Sequence, residues 1–201
     1  MLDPGLTEAA RGAPIIGPMT SNTERMSAGD WYITDESILD LQRERQTLME
    51  QYNATPVADP LARRALLIEL FGAVGDAVEV RSPVYVDYGS NVRIGTGVFL
   101  NYGCQLADVA TITLGDHCQV GPNAQFLTPV HPLEAQRRKD RWETARPITI
   151  GANVWIGGGV VICPGVTVGD DTVIGAGAIV TKDLPAGVLA VGNPAKVVRE
   201  L

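Results

Sequence analysis

The chain has 201 residues and a formal net charge of −7, and 45% of its residues are hydrophobic against 19% charged. This balance predicts a folded domain with a buried core and excludes wholesale disorder. The negative charge gives no general attraction to nucleic acid or to anionic lipid, and no apolar run approaches the ~18 residues that span a bilayer. Since the start of the chain shows no signal-peptide pattern, we expect a cytoplasmic protein without nucleic-acid or membrane partners.

Three cysteines and two histidines limit the metal and redox chemistry that the chain can carry. Cys104, Cys118 and Cys163 are odd in number and have no CxxC spacing, which disfavours a disulfide framework and a thiolate zinc site. His117 and His131 cannot supply the three imidazoles of a histidine-only metal site. We therefore expect no metal requirement.

The N-terminal part is predicted to be helical, in segments near residues 23–28, 37–52 and 59–71. Apolar residues keep helical spacing in the second segment, and Asp59 with Pro60 forms a helix start ahead of the third. These signals predict a helical segment over residues 22–74. It follows a tail over residues 1–21, on whose order the sequence is silent.

A repeat with a period of six residues occupies most of the second half of the chain. Each unit places a large apolar residue before a small one, as in Ile156-Gly157, with a small or β-branched residue two positions before the large one. Such a period is typical of short strands joined by tight corners, with three sides to a coil. It predicts an all-β fold, a left-handed parallel β-helix over residues 75–201. A β-sandwich is disfavoured, because its turn signals recur every 8–12 residues.

One polar segment, residues 127–147, interrupts the repeat and predicts an extruded loop. Loops of this length in a compact domain are usually functional or disordered, and we favour function because His131 lies at the root of this loop. Its neighbours Val130 and Pro132 restrict the backbone, and an imidazole titrates in the range that a general base needs. Taken alone, a structural histidine remains the alternative. His117 is expected at an outward corner.

The remaining polar and sulfur-containing residues of the repeat give weaker signals. Cys104 and Cys118 occupy inward positions and are interpreted as small core residues, and Cys163 receives no role. Lys182, Lys196 and Arg199 form a basic group around the last coil of an acidic chain, which suits a phosphate-bearing ligand. Solvated surface cations are the alternative for each of them.

Several segments closely resemble the maltose and galactoside O-acetyltransferases. They are PITIGANVWIG at residues 147–157, PGVTVGD at 164–170, VIGAGAIVTKD at 173–183, GNPAKVVR at 192–199, PVYVDYGSN at 83–91, and TERM with AGDWY ahead of the predicted helices. The resemblance covers roughly residues 22–201. It implies transfer of the acetyl group of acetyl-CoA to a hydroxyl of a mono- or disaccharide, with no metal. It also implies a homotrimer with active sites between subunits.

The same resemblance implies roles for individual residues. His131 corresponds to the histidine that deprotonates the acceptor hydroxyl, Asn101 to an asparagine that positions the acceptor, and the backbone N–H of Gly158 is the candidate donor to the oxyanion. Acceptor binding is implied for Asp35, Arg43, Asp87, Phe99 and Asn101. Donor binding is implied for Trp155, Gly158, Ala176, Thr181, Lys182, Lys196 and Arg199.

Three other functions are disfavoured by the residues present, and one structural alternative stays open. A β-helical carbonic anhydrase needs three histidine ligands, and a xenobiotic acetyltransferase of the same fold lacks the N-terminal segment seen here. A non-catalytic binding module has no reason to keep both a loop histidine and a donor-site lysine. The N-terminal helices either serve mainly to bind the acceptor or cap the end of the β-helix.

Overall fold

The computed structural model describes residues 21–201, so the predicted tail lies outside the described residues except for Ser21. Helix α1 (Asn22–Ser27) begins with a capping box. The Ser21 hydroxyl accepts a hydrogen bond from the Glu24 backbone N–H at 3.2 Å, and the Glu24 carboxylate accepts one from the Ser21 backbone N–H at 2.8 Å. A short strand, β1 (Tyr32–Ile33), follows this helix.

Two longer helices cover the N-terminal end of the β-helix. Helix α2 (Glu36–Ala54) is capped by Asp35 and helix α3 (Pro60–Leu70) by Asp59, within two residues of the predicted bounds. Their apolar faces belong to the same core as the coils, through the buried residues Tyr52, Leu67, Leu70 and Phe71. The structure therefore favours the capping alternative for these helices.

The rest of the chain coils around three flat faces, each a sheet of stacked strands. Face 1 consists of β2 (Ala73–Val74), β5 (Val92–Ile94), β8 (Ile112–Leu114), β13 (Ile148–Ile150) and β16 (Thr167–Val168). Face 2 consists of β3 (Glu79–Val80), β6 (Phe99–Leu100), β9 (Gln119–Val120), β14 (Trp155–Ile156), β17 (Val173–Ile174), β19 (Val188–Val191) and β20 (Lys196–Glu200). Face 3 consists of β4 (Tyr85–Val86), β7 (Gln105–Ala107), β10 (Gln125–Leu127), β15 (Val161–Ile162) and β18 (Ile179–Val180). Neighbouring strands run parallel, except that β20 turns back antiparallel on β19.

Residues at equivalent repeat positions lie over one another in the core. On face 1, Ile94 pairs with Leu114, Leu114 with Ile150, and Ile150 with Val168. All of the large apolar residues that the repeat predicts to point inward are buried, and so are the smaller residues two positions before them. The hexapeptide β-helix is thus confirmed. It begins at Ala73, two residues before the predicted boundary, because β2 pairs with β5.

The interruption leaves the coils at the corner between face 3 and face 1. It contains β11 (Pro129–Val130), helix α4 (Ala135–Lys139) and β12 (Trp142–Ala145). Strand β12 pairs antiparallel with both β11 and β1, so this extruded loop is an ordered hairpin joined to the N-terminal segment. The coil register continues across it, with Phe126 paired to Leu106 before it and Ile148 paired to Ile112 after it. Within residues 21–201, no helix is long and apolar enough to cross a membrane.

Candidate active site

Seven of the residues predicted to form the site fall into two groups, at the two edges of face 3. The corner between faces 2 and 3 carries Asn101, Gly158 and Ala176. The corner between faces 3 and 1 carries Asp87, His131, Thr181 and Lys182. In every coil a whole strand of face 3 separates these corners, so Asn101 and His131 do not meet within one chain.

His131 follows β11 directly, at the root of the hairpin, and its side chain is exposed. The two residues after it are held by Arg138, whose guanidinium donates to the carbonyl oxygens of Pro132, at 2.9 Å, and of Leu133. His117 is exposed, as predicted, at the corner between faces 1 and 2, away from both groups. Of the two histidines, only His131 lies beside face 3.

Two backbone N–H groups at the corner between faces 2 and 3 are available to a ligand. Within residues 21–201, no protein acceptor takes the N–H of Gly158 or of Ala176, which lie one above the other in neighbouring coils. By contrast, at the corner between faces 1 and 2, the N–H of Thr96 is taken by the Asp116 carboxylate at 2.7 Å. Unpaired N–H groups on a fixed backbone are what an oxyanion or an amide carbonyl requires.

Asn101 and Phe99 lie beside an arginine that the sequence did not single out. The guanidinium of Arg81 lies 5.0 Å from the centre of the Phe99 ring and 5.1 Å from that of Tyr102. The side-chain oxygen of Asn101 accepts the Tyr102 N–H at 2.8 Å, which orients the amide and leaves its NH₂ for a ligand. This side of the site thus combines an amide donor with aromatic surface.

A largely buried group of acidic and phenolic side chains lies where the hairpin meets the N-terminal segment. The Tyr32 hydroxyl donates to the Glu143 carboxylate at 3.0 Å. Burial, followed by the charges of Asp108 and Glu143, raises the pKa of Asp87 to about 6. Burial likewise raises the pKa of Asp108 to about 6, although its carboxylate accepts the N–H groups of Asp87 and Tyr88. Of this group, the sequence identified only Asp87.

Asp35 and Arg43, implied as acceptor ligands, are occupied in this structure by contacts within the N-terminal segment. The Asp35 carboxylate accepts hydrogen bonds from Ser37, Asn22 and the Ile38 N–H, which lower its pKa. Arg43 pairs with two carboxylates of its own helix, and all three groups are exposed. A role for Asp35 and Arg43 in acceptor binding stays a prediction.

The implied donor residues are all accessible, but they lie on two sides of face 3. Trp155 is 59% exposed on face 2, and Lys196 and Arg199 are exposed on β20 of the same face. Thr181 and Lys182 are exposed at the corner between faces 3 and 1. Cys104 and Cys118 are buried, as expected, and burial raises the pKa of both thiols. Among the described residues, no His, Cys, Asp or Glu cluster is arranged to hold a metal ion.

Comparison with known proteins identifies this architecture. The maltose acetyltransferase hexapeptide capping motif matches residues 25–75, and the bacterial transferase hexapeptide of six repeats matches residues 147–182. The galactoside O-acetyltransferase of Escherichia coli strain K12 is 42% identical over 181 residues, which cover 89% of each chain. The structure of a maltose O-acetyltransferase from Clostridium difficile 630 matches with a TM-score of 0.89 and 40% identity, over 92% of this chain and 99% of that one. A galactoside acetyltransferase in complex with coenzyme A matches with a TM-score of 0.86 and 41% identity, over 90% and 92%.

A hexapeptide β-helix with a maltose acetyltransferase capping segment, matched along most of its length by acetyltransferase structures, defines a class of acyltransferases. The extent of the identity places the protein within this class: it belongs to the maltose and galactoside O-acetyltransferase family. It is an acetyltransferase, and acetyl-CoA is its cosubstrate.

Proposed function

We propose that the protein transfers the acetyl group of acetyl-CoA directly to a hydroxyl of a mono- or disaccharide, with His131 as the general base. The observation that carries this proposal is the exposed His131 at the root of an ordered hairpin beside face 3. A base must reach the attacking hydroxyl, and exposure at a fixed position allows that.

The chemistry needs a base, an acceptor hydroxyl and an oxyanion donor, and it proceeds through a tetrahedral intermediate. His131 takes the proton of the sugar hydroxyl as the hydroxyl oxygen attacks the thioester carbonyl carbon. The carbonyl oxygen becomes an oxyanion that the N–H of Gly158 stabilises. Collapse of this intermediate breaks the carbon–sulfur bond and releases the coenzyme A thiolate, which takes the proton from the His131 imidazolium. The buried cysteines are poor nucleophiles at neutral pH, because burial raises their pKa, so a covalent acetyl-enzyme intermediate has no support from them.

The separation of the two groups supports a site formed between chains. Asn101 and Gly158 lie at one edge of face 3, while His131 and Lys182 lie at the other. A closed ring that brings the first edge of one chain against the second edge of the next completes one site at each contact. We propose a homotrimer with three such sites.

The proposed reaction can be tested by thiol release from acetyl-CoA. The acceptors are a panel of mono- and disaccharides, chloramphenicol, and no acceptor. We expect turnover with a sugar, lost by at least two decades in His131→Ala while acetyl-CoA still binds. Turnover with chloramphenicol alone favours the xenobiotic function, and no turnover with any acceptor favours a binding module.

The intersubunit site can be tested by complementation. His131→Ala and Asn101→Ala chains, each with a different tag, are co-expressed, and oligomers that carry both tags are purified. About one third of wild-type turnover should return, because a trimer with two chains of either kind restores one of its three sites. If both residues act within one chain, the mixed oligomers stay as inactive as their parents. Light scattering checks the trimer mass.

A further inference from the structure

A cation held between two tryptophans fixes the outer end of the hairpin that carries His131. The guanidinium of Arg137, on α4, lies 4.7 Å from the ring centre of Trp31 and 5.5 Å from that of Trp142. Trp31 immediately precedes β1, and Trp142 begins β12. One side chain thus joins the loop helix, the returning strand of the hairpin and the N-terminal segment. We call these three residues the Trp-Arg-Trp clamp.

The guanidinium in the clamp is stabilised by the two rings. The Nη2 atom of Arg137 is enclosed and has no hydrogen-bond partner in the part of the chain that the structure describes. An enclosed N–H without an acceptor is unfavourable, and the negative faces of two indoles offset part of that cost. A planar guanidinium can stack on both rings at once, whereas the ammonium group of lysine cannot.

Helix α4 has little stability of its own, so its position depends on such contacts. It spans only five residues, its N-cap residue Glu134 makes no capping hydrogen bond through its side chain, and it buries no residue. A single helical turn without a cap or an apolar face is not stable in isolation. The clamp therefore supplies the tertiary contact that the helix lacks.

The link from the clamp to His131 passes through the next residue of the helix. Arg138 donates to the carbonyl oxygens of Pro132 and Leu133, the two residues that follow His131. When Arg137 holds α4 against the tryptophans, Arg138 holds the backbone beside the imidazole. If α4 moves, both carbonyl contacts move with it.

We propose that Arg137 is a positioning residue, which keeps His131 in its reactive place by clamping α4 between Trp31 and Trp142. The proposal rests on the assignment of His131 as the general base. Loss of the clamp lowers the fraction of molecules in which the loop is in its productive conformation, and kcat falls in proportion to this fraction. The donor residues lie on the coils and on β20, so acetyl-CoA binding does not depend on the clamp.

The test compares Arg137→Ala with Lys139→Ala, an exposed residue of the same short helix that loses the same charge. We expect kcat of Arg137→Ala to fall roughly five- to thirty-fold, with an unchanged KM for acetyl-CoA and unchanged thermal stability of the coils. Lys139→Ala should keep wild-type kinetics, and Arg137→Lys should fall between the two. Equal kcat values for Arg137→Ala and Lys139→Ala overturn the proposal.

Tryptophan fluorescence and tryptic cleavage report on the clamp independently of activity. The chain has three tryptophans, so in a Trp155→Phe background the tryptophan fluorescence comes from Trp31 and Trp142 alone. Arg137→Ala should shift their emission to the red and speed tryptic cleavage at the loop arginines. If the fluorescence of Arg137→Ala matches that of Lys139→Ala, the clamp does not exist in solution. A His131→Ala enzyme with wild-type turnover contradicts the base assignment instead, whatever the clamp does.

Should Arg137→Ala fail to fold, the conservative variants Arg137→Lys and Trp31→Phe carry the same test. Each keeps a cation or a ring in place, so the core is not disturbed. A reduced kcat with normal melting supports positioning, and a normal kcat in both variants overturns it.

Discussion

The unpaired N–H of Gly158 is expected to act on the reaction itself, and a backbone substitution can isolate it. Gly158→Pro removes this N–H, whereas Gly158→Ala keeps it and adds the same Cβ. Proline is compatible with the corner, because Pro122 holds the equivalent place in the neighbouring coil and the φ of Gly158 is not positive. The pair of variants therefore separates loss of the donor from steric effects.

The expected magnitudes differ for the two substitutions. A Cβ at Gly158 would lie 3.3 Å from Cδ and from the carbonyl oxygen of Pro122, a tight contact that costs about 1–3 kcal/mol of stability in either variant. Loss of one oxyanion donor typically lowers kcat by about 10²–10³-fold. Gly158→Pro should therefore have a kcat lower than that of Gly158→Ala by this factor, at an unchanged KM for acetyl-CoA.

Steady-state thiol release, with melting curves as the control for folding, measures both effects. Equal kcat values for the proline and alanine variants would refute the oxyanion assignment. A raised KM for acetyl-CoA with unchanged kcat would instead assign this N–H to an amide carbonyl of the coenzyme arm.

Three further outcomes are expected. In the same assay, His131→Ala should lower kcat about 10²-fold or more. His117→Ala should leave kcat unchanged, because His117 is exposed at the corner between faces 1 and 2. Asp87→Asn should raise the melting temperature at pH 8 but not at pH 3. Burial raises the pKa of this acid from 3.8 to about 6, so its ionisation destabilises the fold increasingly between these two pH values, and by at most about 3 kcal/mol at higher pH. Equal increases in melting temperature at pH 8 and pH 3 would exclude this cause. Lys182→Ala and Arg199→Ala should each raise the KM for acetyl-CoA, most at low ionic strength, with an unchanged acceptor KM; a salt-independent effect would argue against phosphate contacts.

The sequence predicts the coils well because each coil is specified locally. The inward residues recur every six positions, and the structure buries them. The first coil matches the pattern less well than the others, because only Gly75 supplies the small residue after its inward valines. Val80 and Val86 keep the spacing of six from Val74 but are followed by an arginine and an aspartate. The predicted boundary at residue 75 therefore falls inside this coil, two residues after Ala73.

The site is predicted less completely, because much of it depends on contacts between distant segments. His131 is marked in the sequence by its place in an interruption of the repeat. The contact between Tyr32 and Glu143 joins residues 111 positions apart, and it exists only because β12 pairs with β1. No local signal encodes that pairing. Asp108 could have been noticed, since it lies in the two-residue insertion that breaks the period of six before Leu114.

The covered ends of the β-helix limit how the molecule can associate. A stack of parallel coils presents unpaired backbone groups at each end, and such an edge can template the addition of further strands from another molecule. Here α2 and α3 close the first coil, and the last coil is completed by a chain reversal in which β20 runs antiparallel on β19. The helices cover the first edge and the antiparallel β20 ends the parallel stack at the other, so the stacking of further coils is disfavoured at both ends. Association is thereby directed to the sides, where the two halves of the proposed site lie.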